Sequence, residues 1–166
     1  MNKPWAVFPG SFDPYTTAHK ELVLNASKFF NICILIAVNP NKGAGMFTPE
    51  ERKEIIMKTI GDDEHDNIKV DITDRLVSEY CWSNDIKYII RGIRYGNAAE
   101  ELDLAHIYFE DDMIKTIFIP TYNRDNEHVS STRVREYIKR NNMTAAFSMI
   151  PRDSHAYIQS LNKNNK

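Results

Sequence analysis

Four short stretches of this chain carry side chains able to hold phosphate. The first, Pro9-Gly-Ser-Phe-Asp-Pro-Tyr-Thr-Thr-Ala-His19, ends in hydroxyls and one histidine where a helix should begin. Such a helix start binds anions through its unpaired backbone N–H groups and positive dipole end, and Ser11, Thr16 and His19 can add hydrogen bonds to phosphate oxygens. The second, Asn39-Pro-Asn-Lys42 before Gly43-Ala-Gly45, offers a lysine as a mobile point charge. The third, Arg91-Gly-Ile-Arg94, sets two arginines across a glycine that permits close backbone approach or positive φ. The fourth, Val129-Ser-Ser-Thr-Arg-Val-Arg-Glu136, holds more hydroxyls (Ser130, Ser131, Thr132) than one helix cap requires. Each alone also reads as a capped helix, a solvated lysine or surface arginines. Their conjunction points to a ligand.

Apolar β-branched runs alternate with helical patterns. Residues 5–8, 32–38, 68–72, 88–91 and 116–119 read as strands, and 20–30, 49–60, 76–85, 98–109, 132–140 and 152–161 as helices. The run from Asn31 to Val38 is apolar on both faces, which suits a central parallel strand covered on both sides. Strict β-then-α order predicts an α/β fold: a single Rossmann-like, doubly wound parallel sheet of five strands with helices on both faces. Ligands of such sheets sit beyond the C-terminal strand ends, near the switch point, and all four stretches fall at that edge. Thr48-Pro-Glu-Glu51 is a capping box with proline at the first helical position. Residues 1–160 are expected to form one domain, with 161–166 a frayed, Asn-rich tail.

The chain has 166 residues and a net charge of −2, which argues against an extended nucleic-acid surface. Cys33 and Cys81 fit no metal pattern, Cys33 reads as a buried thiol, and a reducing, cytoplasmic location is expected. No signal peptide and no run able to span a bilayer is read, so no membrane partner is expected.

With these pieces in order from about residue 5 to residue 160, the chain resembles the HxGH-type nucleotidyltransferase superfamily. Within it the chain is similar to the phosphopantetheine adenylyltransferase family. The residues that carry the likeness are Pro9-Gly-Ser-Phe-Asp-Pro, Thr16-Thr-Ala-His19, Asn41-Lys42, Met46-Phe-Thr-Pro-Glu-Glu-Arg52, Arg91-Gly-Ile-Arg94, Glu101 with Leu104-Ala-His106, Ser130-Ser-Thr-Arg-Val-Arg-Glu136, and Pro151. The resemblance implies transfer of AMP from ATP to 4′-phosphopantetheine, giving dephospho-CoA and pyrophosphate in coenzyme A biosynthesis. It implies direct in-line chemistry with no covalent intermediate, and Mg²⁺ carried mainly by ATP phosphates with no protein metal ligands. It further implies a homo-oligomer, a hexamer, with CoA as feedback inhibitor. By position, His19, Lys42 and Arg94 take the catalytic roles, with His19 on the α-phosphate. Ser11, Lys42, Val77 and Arg91 meet the acceptor. Ser11, Phe12, His19, Gly92, Ile93, Arg94, Glu101, Asn126, Glu127, His128, Val129, Ser130, Ser131 and Thr132 meet ATP.

Three departures stand out. Ala18 occupies a position where the family has glycine; at positive φ it would cost about 1–2 kcal/mol, and its methyl group would narrow the approach of a ligand. The segment Tyr95-Gly-Asn-Ala-Ala-Glu-Glu101 is one residue shorter than usual and lacks the family's Asp-Phe pair, which leaves Glu100 as the alternative to Glu101. The loop from Tyr122 to His128 is longer than usual and lacks a tryptophan. His65 reads as solvated in an acidic loop, and His106 as packed on its helix. Two other functions compete. One is a sister adenylyl- or cytidylyltransferase using nicotinamide mononucleotide, against which Lys42 and Arg91-Gly-Ile-Arg94 argue. The other is a non-catalytic nucleotide- or CoA-binding protein, which Ala18 motivates.

Overall fold

The computed structural model describes residues 3–40, 43, 45–61, 66–94 and 96–164. Lys42, His65 and the last two residues of the expected tail therefore lie outside the described residues. Five strands, β1 (Trp5–Gly10), β2 (Asn31–Ala37), β3 (Ile68–Thr73), β4 (Tyr88–Ile93) and β5 (Lys115–Pro120), form one parallel sheet in the order β3-β2-β1-β4-β5. This is the expected Rossmann-like doubly wound α/β fold. The winding reverses between β1 and β4, which share a single register pair, Val7 with Ile89. A crevice lies at their C-terminal ends, lined by Phe8, Pro9 and Gly10 of β1 and by Arg91 and Gly92 of β4.

Alternation along the strands builds two cores. Ala6, Phe8, Ile32, Ile34, Ile36 and Ile90 face one side, where they meet helices α1 (Thr17–Ala26), α2 (Pro49–Ile60), α5 (Ser131–Lys139), α6 (Met143–Phe147) and α7 (His155–Asn164). Val7, Cys33, Leu35 and Ile89 face the other, under α3 (Val77–Ser83) and α4 (Ala98–Asp112). A strand that is apolar at every position is stable only between two such layers. Cys33 and Cys81 are both buried in the second core. Among the described residues, no helix is long and apolar enough to cross a membrane.

Several boundaries differ from the sequence expectation. α1 starts at Thr17, three residues before the expected Lys20, because Thr16 caps it through an unusual box in which His19 takes the place of glutamate. It ends at Ala26, short of Phe30. α6, with only five residues and an Asn142 cap, carries too little periodicity to be read beforehand. α7 runs to Asn164, into the segment expected to fray, and Leu161 packs on the core. The capping box of α2 forms as read: Thr48 Oγ1 accepts from Glu51 N and the Glu51 carboxylate accepts from Thr48 N.

One buried carboxylate ties the loops above the sheet together. Asp13 accepts hydrogen bonds from Met46 N and Phe47 N, both at 2.9 Å, and lies 3.4 Å from the buried Arg52 guanidinium and 3.9 Å from that of Arg135. Arg52 donates in turn to Phe47 O and Ser11 O, and Arg135 to Asp13 O. A side chain at Gly45 (φ 76°) would drive its Cβ to 2.8 Å from Asp13 Oδ2 and into Arg52, so glycine is required there. Replacing Asp13 by alanine takes the carboxylate away from the buried Arg52 guanidinium and removes the acceptor of two backbone N–H groups. The expected loss is about 3–5 kcal/mol, read as a lower urea midpoint; an unchanged midpoint would remove Asp13 from this role.

Candidate active site

At the top of the β1–β4 crevice lies a cavity of about 210 Å³ lined by Ser11, His19, Arg91, Arg94, Glu101 and Ser131, among others. It brings together residues from the first, third and fourth stretches. The second stretch lines a larger neighbouring cavity of about 750 Å³ through Asn39, Pro40, Gly43 and Gly45, and Ser11 borders both.

His19 is placed by local chemistry. The chain turns at Phe12 through φ 49°, a left-handed conformation uncommon for a bulky residue. This tucks the Phe12 ring beneath Gly10, where an added Cβ would meet it at 2.9 Å. The ring then backs His19 edge-on at 5.1 Å between centroids, with Tyr15 and Phe8 at 5.4 and 6.0 Å. His19 Nδ1 accepts from Thr16 N at 3.1 Å, with Thr16 Oγ1 at 3.0 Å. A nitrogen accepting from a backbone N–H carries no proton, so the neutral ring holds its proton on Nε2. The half-buried imidazole lines the crevice, and no hydrogen bond from Nε2 to a described residue satisfies that proton. Burial, with a smaller contribution from the Arg94 guanidinium, pushes its pKa down to about 4.

The two arginines are held rather than loose. Arg91 pairs with Glu101 through Nε and through Nη2 at 2.8 Å, and donates from Nη1 to Pro9 O at 3.4 Å. Of five N–H donors, three are thus engaged, which leaves two for an anion. Glu101, expected to meet ATP, lines the crevice with its buried carboxylate paired to Arg91. Arg94 uses both Nη1 protons on Glu127 O and Val129 O, at 3.0 and 3.1 Å. Its Nε and Nη2 face stays available for phosphate. Asn97, which the sequence reading missed, accepts from Arg94 N at 2.7 Å and donates to Gly92 O at 3.2 Å, fixing the turn that carries Arg94. Gly92 serves close approach and not positive φ: an added Cβ would meet Leu22 Cδ1 of α1 at 2.7 Å.

The fourth stretch supplies a helix start. Ser130 caps α5, accepting from Arg133 N; Ser131 Oγ donates to Pro14 O; Thr132 Oγ1 accepts from Arg135. The N-termini of α1 and α5 therefore meet across the crevice, bound by Ser131 to the first loop. Asn126 is buried, with its amide oxygen accepting from Thr17 Oγ1 and its amide nitrogen donating to Glu21. Val129 is buried, while Glu127 and His128 are exposed. Ile93 ends β4 beside Pro120. Val77 opens α3 and packs against the second core, lining neither cavity. His106, expected to pack on its helix, is exposed on α4, because that helix rests on the sheet mainly through its other face. Ala18 sits inside α1 with ordinary helical backbone, so it carries no positive-φ strain, and only its methyl group reaches the crevice.

Among the described residues, no group of three His, Cys, Asp or Glu side chains could hold a metal. Glu101, which lines the crevice, is committed to Arg91, and Asp13, which lines the neighbouring cavity, to Arg52.

A sheet with its site at this switch point, two helix starts and two arginines defines a nucleotide-handling α/β protein. The family model described as cytidylyltransferase-like matches residues 7–137. A phosphopantetheine adenylyltransferase of Clostridium novyi (strain NT) is 36% identical over 136 residues, covering 80% of this chain and 82% of that protein. One from Leptospira biflexa is 37% identical over 139 residues, covering 81% and 83%. Two solved structures share the fold. A candidate nicotinate-nucleotide adenylyltransferase from Vibrio parahaemolyticus superposes with a TM-score of 0.65 at 14% identity, over 95% of this chain and 99% of that one. Thermotoga maritima TmcAL, bound with alpha-thio ATP, gives 0.62 at 12% identity, over 97% of this chain and 56% of that one. The chain thus belongs to the cytidylyltransferase-like class of nucleotidyltransferases, and within that class to the phosphopantetheine adenylyltransferase family. It is an enzyme of this type.

The neutral His19 has a measurable consequence. An unfolded imidazole titrates near pH 6.5, whereas the folded one titrates at about 4. Between those values the unfolded chain binds the proton and the folded chain does not, so stability falls as pH drops through this window. Going from pH 7 to 4.5, the wild type should lose roughly 2 kcal/mol more than His19→Gln in urea titrations. Equal losses would show that the folded imidazole titrates normally.

Proposed function

We propose that this enzyme transfers AMP from ATP to 4′-phosphopantetheine, releasing pyrophosphate and forming dephospho-CoA. An oxygen of the acceptor phosphate attacks the α-phosphorus. The bond from that phosphorus to the pyrophosphate oxygen breaks, and the electron pair leaves with pyrophosphate. The acceptor phosphate is already anionic, so no catalytic base is needed; positioning and charge neutralisation do the work.

The observation that carries this reading is the fixed tautomer of His19, whose Nε2–H stands in the crevice with Arg94 as its charged neighbour. It donates to the α-phosphate as negative charge builds on it. Arg94, through its uncommitted edge, and the N-termini of α1 and α5 take the rest of the triphosphate. Arg91, Ser11 and Lys42 hold the acceptor phosphate, and Val77, packed on the second core away from both cavities, takes no part in the reading. Gly92, Ile93, Glu101 and residues 126–132 enclose the nucleotide, several of them by holding the walls rather than by touching ATP. Mg²⁺, when bound, neutralises triphosphate oxygens and is held by them and by water, which suits a crevice whose Glu101 carboxylate is already paired. The reading includes a cytoplasmic homohexamer with CoA as feedback inhibitor.

The test is pyrophosphate release from ATP with 4′-phosphopantetheine, and with nicotinamide mononucleotide as the rival acceptor. Turnover should be confined to phosphopantetheine. His19→Ala should lower kcat by about 10²–10³-fold, as for loss of one preorganised donor to a developing anion. A folded wild type that binds ATP yet turns over neither acceptor would favour a binding role instead.

A further inference from the structure

We propose that Glu21 is a positioning residue for the nucleotide, acting through the loop between β5 and α5. Its carboxylate accepts three hydrogen bonds from that loop: Tyr122 N at 3.1 Å, Asn123 N at 2.9 Å and Asn126 Nδ2 at 2.6 Å. Thr17, one turn earlier on α1, donates to Asn126 Oδ1 at 2.8 Å. The start of the loop is thereby fastened to the same helix that carries His19. Its other end is fastened by Arg94 through Glu127 O and Val129 O, just before Ser130 and Ser131 open α5 at the crevice.

This pattern exceeds what a surface loop needs. Three donors converge on one half-buried carboxylate, and charge-assisted bonds of this length are the stronger kind. They originate from parts of the chain more than a hundred residues apart. The two anchors also sit on the two elements that bear the phosphate-facing groups, His19 and Arg94. The wall on the nucleoside side is therefore set in register with the phosphate side. Glu21 touches no substrate; it fixes where the loop stands when ATP enters. The inference rests on the reading that ATP lies against the start of α5.

The test compares Glu21→Ala, Glu21→Gln and Thr17→Val. Glu21→Ala should raise the KM for ATP about tenfold, the equivalent of one charge-assisted hydrogen bond, while the KM for phosphopantetheine and kcat change less than about twofold to threefold. Amide exchange at Tyr122 and Asn123 should accelerate with it. Glu21→Gln should stay near wild type: its amide oxygen still accepts from both backbone N–H groups, and Asn126 can turn its amide over to match. Thr17→Val should give the same KM split at smaller size, which keeps the proposal testable if Glu21→Ala does not fold. An ATP KM that stays unchanged while the loop amides exchange faster would overturn it. So would a parallel rise in both KM values, the mark of a merely structural residue. Calorimetric titration with Mg·ATP separates this from the proposed reaction. If the wild type binds ATP but turns over no acceptor, the reaction assignment fails. A tenfold weaker ATP affinity in Glu21→Ala would still uphold the role of Glu21, and an equal affinity would overturn it.

Discussion

The buried carboxylate of Asp13 is the constraint on which the upper surface of this sheet depends. The loop that leaves β1 anchors itself by burying Phe12 and Tyr15 in the core, but those contacts do not fix its distance from the second loop or from α5. Asp13 resolves this by drawing in two backbone N–H groups from the segment after β2 and two guanidinium groups, one from α2 and one from α5. A charge so buried is tolerable only because it is both paired and hydrogen-bonded. Once made, these contacts fix the spacing between the first loop, the second loop and the start of α5. The crevice and its larger neighbour are the space left between the parts that Asp13 joins.

The same economy governs the cations. Arg91 is turned by Glu101 and Arg94 by two carbonyls before any substrate arrives, so little rotamer freedom remains to be lost on binding. Each keeps part of its donor fork unused. Preorganisation of this kind is worth most in a crevice partly screened from water, where a donor aimed in advance needs no reorientation as charge develops.

The sequence made the sheet legible because short apolar, β-branched runs alternate with helical patterns, β2 being apolar on both faces. It made the site legible because Ser11, His19, Arg94 and Ser131 follow strands and Arg91 lies near the end of β4. What stayed hidden has two physical origins. Asp13 and Glu21 look like ordinary polar loop or helix residues, and their meaning lies in partners that chain distance conceals, up to 122 residues away. Asn97, by contrast, binds its near neighbours Gly92, Arg94 and Glu101, in a turn that carries no recognisable signal. The start of α1 was misplaced because a histidine closes its capping box where glutamate is the usual signal. Glu101 was placed near the nucleotide by resemblance, but only the fold reveals that its carboxylate is spent on Arg91. Ala18 looked costly while its backbone conformation was unknown; inside the first turn of α1 an alanine is favourable, and its methyl group is the only difference that reaches the ligand side.

The protonation state of His19 then follows from its neighbours. Burial acts on the ring first and the Arg94 guanidinium second, while Arg91 is paired with Glu101. A proton added to it meets both burial and repulsion, so the ring stays neutral and donates from Nε2. In the proposed reaction the hydrogen bond from Nε2 strengthens as negative charge accumulates on the phosphate, while Nδ1 goes on accepting from Thr16 N. A permanently charged side chain at this position would hold substrate and transition state alike. A histidine kept neutral chiefly by burial reserves more of its interaction for the moment the bond is made.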